Sequence, residues 1–171
     1  QTDPLTKVGN RLSFQADLQL LSKRYDEKSS SFTLAYIDLD DFKHINDTFG
    51  HRMGDRVLCQ VADRLNSIGN IFSVSRLGGD EFAVLLECAG QTKLQVEEEI
   101  QQMADFVFRP ITEFKREVNA SCSLGFTRYP FDTKNLSELK HYADLALMKA
   151  KKAGKGNVRP FESSDYSDDV R

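Results

Sequence analysis

The spacing of apolar and polar residues predicts a chain in which helices alternate with short strands. Apolar positions recur every three or four residues in the helical segments, and they alternate or run together in the strand segments. The predicted order is a helix from Asn10, a strand over 32–39, helices over 41–48 and 57–68, a hairpin over 71–86, a helix over 96–107, a half-buried strand over 118–127, a helix over 136–150 and a strand over 157–161. Residues 49–54 are predicted to form a loop. A central hairpin does not fit a doubly wound parallel sheet, so the pattern favours an α/β (α+β) domain with a mainly antiparallel sheet flanked by helices.

The stretch over 76–82 is the most distinctive part of the hairpin. Gly78 and Gly79 lie between two apolar runs, and glycine takes positive φ without steric cost. The next residues, Asp80 and Glu81, would therefore stand at the tip of the hairpin or just beyond it. Acids in such a turn are either solvated, or they hold a divalent cation beside a phosphate that rests against the bare glycine backbone.

Asp38 ends the apolar row of the first predicted strand, and it would approach Asp80 or Glu81 if strand and hairpin share one sheet. Two carboxylates about 4 Å apart repel by roughly 4 kcal/mol at an effective dielectric constant near 20. A hard cation such as Mg²⁺ between them would remove that cost. The alternative is that Asp38 caps a helix while the hairpin acids face water, and the residue pattern alone leaves both interpretations open.

Basic residues cluster near the same elements. Lys43 lies five residues after Asp38, and four lysines crowd the last helix and the glycine turn that follows it: Lys149, Lys151, Lys152 and Lys155. We assign Lys149 and Lys152 to a solvated helix end that complements the helix dipole. Lysines next to glycines could instead bind the phosphates of a nucleoside triphosphate.

Two polar residues form a candidate purine-binding pair. A carboxylate such as Asp55 can accept hydrogen bonds from guanine N1–H and N2–H, and the amide of Asn46 carries both a donor and an acceptor. An Asn in a short helix is more commonly just exposed. His51 lies in a predicted loop between glycines, where a histidine is either a base or a structural hydrogen-bonding residue.

Composition narrows the class of protein. The 171 residues fit one domain; 40% of them are hydrophobic, 29% are charged, and the formal net charge of −3 provides no overall positive field for nucleic acid. The three cysteines form no C-x-x-C pair, which argues against a zinc site or a disulfide framework and for a reducing, cytoplasmic setting. No apolar run is long enough to span a membrane, and no nucleophile triad or Walker A motif is present. Because the chain begins with Gln1, we expect a piece of a longer protein, and the polar tail over 162–171 is predicted to be a linker.

Five ordered motifs together resemble the GGDEF family of diguanylate cyclases, over about residues 3–161. They are Asp3-Pro-Leu-Thr6 with Asn10-Arg11, the stretch from Tyr36 to Asp55, Arg76 to Phe82, Ser123-Leu-Gly125, and Ala143-Asp144 through Lys151 to Lys155. The resemblance implies a fold like that of nucleotidyl cyclases and the polymerase palm, with the motif on a β-hairpin. It also implies a reaction in which two GTP become cyclic di-GMP and two pyrophosphates.

The resemblance further implies a role for each acid. Asp38, the backbone carbonyl of Leu39 and Asp80 would hold Mg²⁺, with Mn²⁺ as an alternative ion. Glu81 would be a further metal ligand or a base. These roles describe phosphoryl transfer by positioning and charge neutralisation.

By the same resemblance, the remaining candidates bind the nucleotide. Lys43 would stabilise charge on the phosphates in the transition state, and Lys151 and Lys155 would hold the outer phosphates. Asn46 and Asp55 would bind guanine, and His51 would lie near the nucleotide.

One copy would hold only one GTP, so the resemblance implies catalysis by a homodimer of GGDEF domains. The resemblance implies that the flanking regions are sensory and EAL phosphodiesterase domains, and it allows a membrane anchor elsewhere in the parent protein. The product-inhibition motif Arg-x-x-Asp is absent, because its positions hold Gly69 and Phe72, which argues against feedback by that route. Two other readings remain: a non-catalytic GTP-binding regulatory module of a GGDEF/EAL phosphodiesterase, and a pure dimerisation module.

Overall fold

The computed structural model describes residues 1–165. Its helices are α1 (Arg11–Lys28), α2 (Phe42–Phe49), α3 (His51–Asn66), α4 (Lys93–Val107) and α5 (Leu136–Lys152). Its strands are β1 (Phe32–Leu39), β2 (Ile71–Gly78), β3 (Glu81–Glu87), β4 (Ile111–Glu113), β5 (Arg116–Val118), β6 (Cys122–Tyr129) and β7 (Val158–Pro160). The predicted alternation of helices and strands is confirmed.

A five-stranded sheet in the order β2-β3-β1-β6-β7 forms the centre of the domain. All neighbouring pairs in this sheet are antiparallel except β6 and β7, which are parallel. The predicted, mainly antiparallel architecture is therefore confirmed. The first strand along the chain, β1, lies in the middle of the sheet, so its last residues are surrounded by other elements.

Helices cover both faces of the sheet. On one face, Ile37 of β1 packs with Val57 of α3 and Ile100 of α4 in the larger core cluster. On the other, Leu34 of β1 packs with Leu18 of α1 and Leu139 of α5. Each such fully buried aliphatic side chain stabilises the fold by about 1.5–3 kcal/mol. Even-numbered β1 residues thus face α1 and α5, and this is the face to which Asp38 belongs.

Helix α5 lies directly on β6, and a glycine makes that contact possible. A Cβ atom on Gly125 would lie 2.1 Å from the backbone nitrogen of Leu147 and 2.7 Å from the carbonyl oxygen of Ala143. Only glycine therefore fits at this position. The close contact fixes the last turns of α5 relative to the end of β1.

Two local predictions are wrong, and one small element was missed. The loop predicted over 49–54 is mostly helix, because α3 already begins at His51, directly after Gly50, whose φ of 92° separates α2 from α3. The strand predicted over 118–127 is instead β6, which begins at Cys122 and is buried on both faces rather than on one. The small antiparallel hairpin of β4 and β5 was not predicted, since three-residue strands are too short to show a period.

The region after β7 contacts the domain. Lys93 of α4 forms an ion pair with Glu162 at 2.9 Å, and Lys149 of α5 forms one with Asp165 at 2.8 Å. The linker predicted over 162–171 falls partly, at 166–171, outside the described residues. Within residues 1–165, no helix has the length and apolar character that crossing a bilayer requires.

Candidate active site

Acids from neighbouring strands meet at one end of the central sheet. The register of β1 and β3 places Asp38 opposite Glu81, and Asp80 lies in the turn between β2 and β3. The amide of Leu39 donates to the carbonyl oxygen of Asp80 at 3.3 Å, which ties that turn to the end of β1. Gly79, with a φ of 50°, makes the tight turn possible. The predicted hairpin and the approach of Asp38 to its acids are confirmed.

The charges of Asp38 and Asp80 interact strongly. Asp38 is 8% exposed; its Oδ2 pairs with Nζ of Lys151, while its buried Oδ1 has no hydrogen-bond partner within residues 1–165. Burial, and then the neighbouring Asp38 carboxylate, raise the pKa of Asp80 to about 6. A buried oxygen without a donor is costly, and a cation would satisfy it while screening the repulsion. The pair is therefore suited to bind a cation.

The protein does not supply a complete metal cage. Residues 1–165 contain no group of three or more His, Cys, Asp and Glu side chains arranged to hold a metal ion. Mg²⁺, however, is usually bound by one or two carboxylates and completes its shell with water and substrate phosphates. Oxygen donors from Asp38, Asp80 and the Leu39 carbonyl fit that mode by their chemistry. The site thus suits a cation that arrives with a phosphorylated ligand.

The end of α5 brings two predicted phosphate-binding lysines to the acids. Lys151 pairs with Asp38, and Lys155, in the turn after α5, pairs with Asp41. Burial alone would lower the pKa of Lys151, but the hydrogen bond and charge of Asp38 raise it overall. Both lysines are exposed on their outer side, so they can also contact an anion held at the acids.

Asp40 holds the elements of the site together. Its carboxylate accepts hydrogen bonds from the hydroxyls of Ser121 and Ser123, each at 2.7 Å, and from the amide of Gly156 at 2.9 Å. It therefore joins the end of β1 to the start of β6 and to the turn that carries Lys155. Sequence reasoning missed this role, although the position of Asp40 among three acids at a strand end was a signal.

The predicted purine-binding pair lies where α2 meets α3. A Cβ atom on Gly54 would lie 1.8 Å from Oδ1 of Asn46, so the amide rests directly on the glycine. This oxygen is buried and has no hydrogen-bond partner in the described part of the chain. Asp55 follows Gly54 and is exposed, and His51 is exposed in the first turn of α3. The structure thus places the candidates at one corner, and Gly54 is a further residue that sequence reasoning did not single out.

Lys43 is not brought to the acids. Its side chain, on α2, is 92% exposed, and its Nζ lies 3.7 Å from Oδ2 of Asp47 one turn further along the helix. Such an exposed pair contributes little to stability. Its predicted role on the phosphates stays a prediction.

Residues 1–157 match the model of one protein family, which is described as "Diguanylate cyclase, GGDEF domain". The chain belongs to the GGDEF family. The resemblance stated from the motifs is therefore confirmed.

Relatives and solved structures agree with this assignment. The bifunctional diguanylate cyclase/cyclic di-GMP phosphodiesterase MucR of Pseudomonas aeruginosa is 33% identical over 163 residues, which cover 95% of this chain and 24% of MucR. The solved GGDEF domain of TpbB from the same species has a TM-score of 0.86 and 32% identity, with both chains fully covered. The GGDEF domain of DgcB from Caulobacter crescentus, solved with cyclic di-GMP, has a TM-score of 0.80 and 28% identity over 95% of this chain and 93% of that one. The chain spans about a quarter of MucR.

The turn that carries the motif Gly78–Phe82, called the GGDEF turn below, is also held from the amino-terminal side of the chain. Nε of Arg76 donates to the carbonyl oxygen of Gly79 at 2.9 Å, and its Nη1 lies 3.3 Å from both carboxylate oxygens of Asp3. Asp3 in turn accepts from the amide and hydroxyl of Thr6. These contacts connect the entry of the GGDEF domain to the residue directly before Asp80. Sequence reasoning quoted Asp3 and Arg76 in separate motifs but did not connect them.

The positions of the family's product-inhibition motif have a different environment in this GGDEF domain. Gly69 is exposed, and the guanidinium of Arg24 lies over the ring of Phe72, 5.1 Å from its centroid. Arg24 also pairs with Glu87 at 2.7 Å. Where the motif would supply an arginine, this domain has the exposed Gly69, and where it would supply an aspartate, it has the aromatic ring of Phe72.

Proposed function

We propose that this GGDEF domain condenses two GTP molecules into cyclic di-GMP and two pyrophosphates, with Mg²⁺ and across the interface of two copies. The observation that carries the proposal is the Asp38–Asp80 pair. The raised pKa of Asp80 and the unpartnered buried oxygen of Asp38 both favour a cation at this place, and Lys151 beside them suits a phosphate. Membership of the GGDEF family supports the choice of GTP as the nucleotide.

The metal-binding and phosphate-binding residues of the site would each take a different part in this reaction. Asp38, Asp80 and the Leu39 carbonyl would hold Mg²⁺, which when bound neutralises phosphate charge and lowers the pKa of a coordinated hydroxyl. Lys151 and Lys155 would leave their carboxylate partners for the outer phosphates of GTP. Glu81 stands opposite Asp38, where it could take the proton of the attacking 3′-hydroxyl or add a further ligand oxygen.

The other residues would orient the base. Asn46, fixed against Gly54, and the exposed Asp55 would hydrogen-bond the Watson–Crick edge of guanine. His51 would lie beside the nucleotide, and the bare backbone of Gly78 and Gly79 would allow a phosphate to approach. This arrangement accounts for one bound nucleotide. The product joins two nucleotides symmetrically, so a second copy of the domain would supply the other.

The second candidate is a GTP-binding regulatory module attached to an EAL phosphodiesterase domain. The similarity to MucR, a bifunctional diguanylate cyclase/cyclic di-GMP phosphodiesterase of which this chain covers only 24%, supports the attached phosphodiesterase domain. A regulatory module could bind GTP without turnover. The fused sensory and EAL domains are part of this proposal, as is a location in the cytoplasm.

The experiment that separates the two candidates uses the 171-residue chain fused at its amino terminus to a dimeric coiled coil. With Mg²⁺ and GTP we expect cyclic di-GMP from this dimer and nearly none from the unfused chain. Asp80→Asn should lower turnover by about 100-fold or more while GTP is still bound, and EDTA should abolish the activity until Mg²⁺ or Mn²⁺ is restored. Asp26→Asn, which removes an exposed acid of α1, is the matched control. A folded wild-type dimer that binds GTP but makes no cyclic dinucleotide would establish the regulatory module instead.

A further inference from the structure

A recess lies beside the acids, on the face of the sheet that carries α1 and α5. It has a volume of about 340 Å³ and opens between the start of α1 and the middle of α5. Its floor includes Tyr36, two residues before Asp38 on the same face of β1, and its wall includes Glu81. The recess is therefore continuous with the site at which the nucleotide is proposed to react.

Arg11 is the cation of this recess that lies against the GGDEF turn. It is the first residue of α1, and its Nη2 donates to the carbonyl oxygen of Leu77, directly before Gly78, at 3.2 Å. Within residues 1–165 this is the one hydrogen bond of its side chain, and neither Glu81 nor Asp144, the two acids that line the recess, forms an ion pair with it. Since a guanidinium has five N–H donors, most of those of Arg11 remain open. A planar guanidinium without an acidic partner is well matched to a phosphate.

Arg11 and Lys151 lie on opposite sides of the acids. The order of the sheet runs from β2 through β3 and β1 to β6. Arg11 is bonded to β2, Lys151 reaches Asp38 of β1 from α5, and Glu81 of β3 lies between them. The nucleotide bound by its own domain is proposed to use the α5 side and the α2–α3 corner. The side of the acids on which Arg11 lies is therefore available to a phosphate of a different nucleotide.

We propose that Arg11 binds a phosphate of the nucleotide carried by the second copy of the domain. The inference rests on the proposed function, because it assigns a residue to the same reaction. In that reaction the 3′-oxygen of one nucleotide loses its proton and bonds to the α-phosphorus of the other. The bond between the α-phosphorus and the bridging oxygen of pyrophosphate breaks, and pyrophosphate leaves. The guanidinium of Arg11 places positive charge where the α-phosphate gains negative charge.

Because Arg11 acts across the interface, paired variants can test its role. A heterodimeric coiled coil would join one chain with Arg11→Ala to one chain with Asp80→Asn. If Arg11 serves the partner's nucleotide, this heterodimer retains one site with intact acids and an intact arginine. It should then form one phosphodiester bond and release the linear dinucleotide pppGpG with one pyrophosphate. If Arg11 serves its own nucleotide, both sites are defective, and no product beyond that of the two homodimers should form.

The homodimeric variants complete the test. We expect Arg11→Ala to lower kcat for cyclic di-GMP by about 100-fold, Arg11→Lys to recover part of it, and Lys23→Ala, an exposed cation on the same helix, to change nothing. Titration of the unfused Arg11→Ala chain with Mg-GTP should give the wild-type affinity. A loss of GTP affinity of tenfold or more in this folded variant, or an inactive heterodimer beside an active wild-type dimer, would overturn the proposal for Arg11. An inactive wild-type dimer would instead overturn the proposed function.

Discussion

At the scale of single residues, the raised pKa of Asp80 makes the stability of the domain depend on pH. The folded state binds this proton more tightly than the unfolded chain, whose carboxyl has an ordinary pKa of 3.8, against about 6 in the fold. The contribution to stability is therefore fully present below pH 3.8 and is lost as the pH rises through 6. Because the carboxylate is partly exposed, we expect the loss to be about 1–2 kcal/mol after solvent screening.

The measurement is the free energy of unfolding in urea, with metal removed, between pH 4 and pH 7. The difference between wild type and Asp80→Asn should change over this range, because the asparagine cannot ionise and removes the repulsion on Asp38. Asp26→Asn, in an exposed part of α1, should follow the wild type. Parallel curves for wild type and Asp80→Asn would show that the fold does not raise the pKa of Asp80.

Gly54 tests the predicted guanine contact of Asn46. Gly54→Ala places a methyl group 1.8 Å from the present position of Oδ1 of Asn46, so the amide must move. We expect a loss of stability of about 1–3 kcal/mol and a smaller preference for GTP over ATP, both measured by titration and urea unfolding. Gly69→Ala is the control, since nothing lies within 4 Å of its added Cβ. A folded Gly54→Ala protein with unchanged GTP preference would exclude Asn46 as the guanine contact.

At the scale of helices and strands, the sequence predicts a segment correctly where the spacing of its own apolar residues shows a helical or strand period. The bounds of β1 agree with the prediction residue for residue, because its apolar run ends at acids. Residues 49–54 were misread because two glycines close together favour a loop in isolation. Gly54 lies inside α3 instead, where Asn46 packs on it, and no local pattern reveals such a contact.

The burial of β6 shows the same limit. Its alternating serines and threonine suggested a face in water, yet the hydroxyl of Ser123 donates to Asp40 and that of Thr127 to the carbonyl oxygen of Leu139. Polar residues can be buried when the protein satisfies their hydrogen bonds. Asp40 with Ser121, Arg76 with Asp3 and Gly54 with Asn46 are likewise partners far apart in the chain or on different helices, so spacing alone could not identify them.

Lys151 and Lys155 are proposed to bind phosphate, and their positions depend on the packing of α5 against β6. Gly125→Ala would place a Cβ atom 2.1 Å from a backbone nitrogen of α5, and backbone cannot move aside as a flexible side chain can. We expect a loss of about 3 kcal/mol or more in the free energy of unfolding, with weaker GTP binding because Lys151 and Lys155 shift with the helix. Gly69→Ala serves again as the control, in urea unfolding and GTP titration. Wild-type stability in Gly125→Ala would mean that α5 does not rest on β6 as described.

At the scale of the whole molecule, two copies are required for the proposed reaction, while the surface for product feedback is altered. The acids and lysines of one copy account for one nucleotide, and Arg11 extends the site toward the second copy. Phe72 of the motif lies against Arg24, which pairs with Glu87, and none of these residues has a part in the proposed reaction. Turnover and feedback can therefore be changed separately.

This separation gives a prediction for product inhibition of the enforced dimer. Added cyclic di-GMP should inhibit only in competition with GTP, because neither a guanidinium at residue 69 nor a carboxylate at residue 72 is present to bind guanine at the motif. Replacing Gly69 with Arg and Phe72 with Asp supplies both groups, and it also frees Arg24 from the aromatic ring. Initial rates at saturating GTP should then fall with added product in the double variant alone. Inhibition of the wild type at saturating GTP would show a feedback site elsewhere on the domain, and an uninhibited double variant would show that the local backbone cannot form the site.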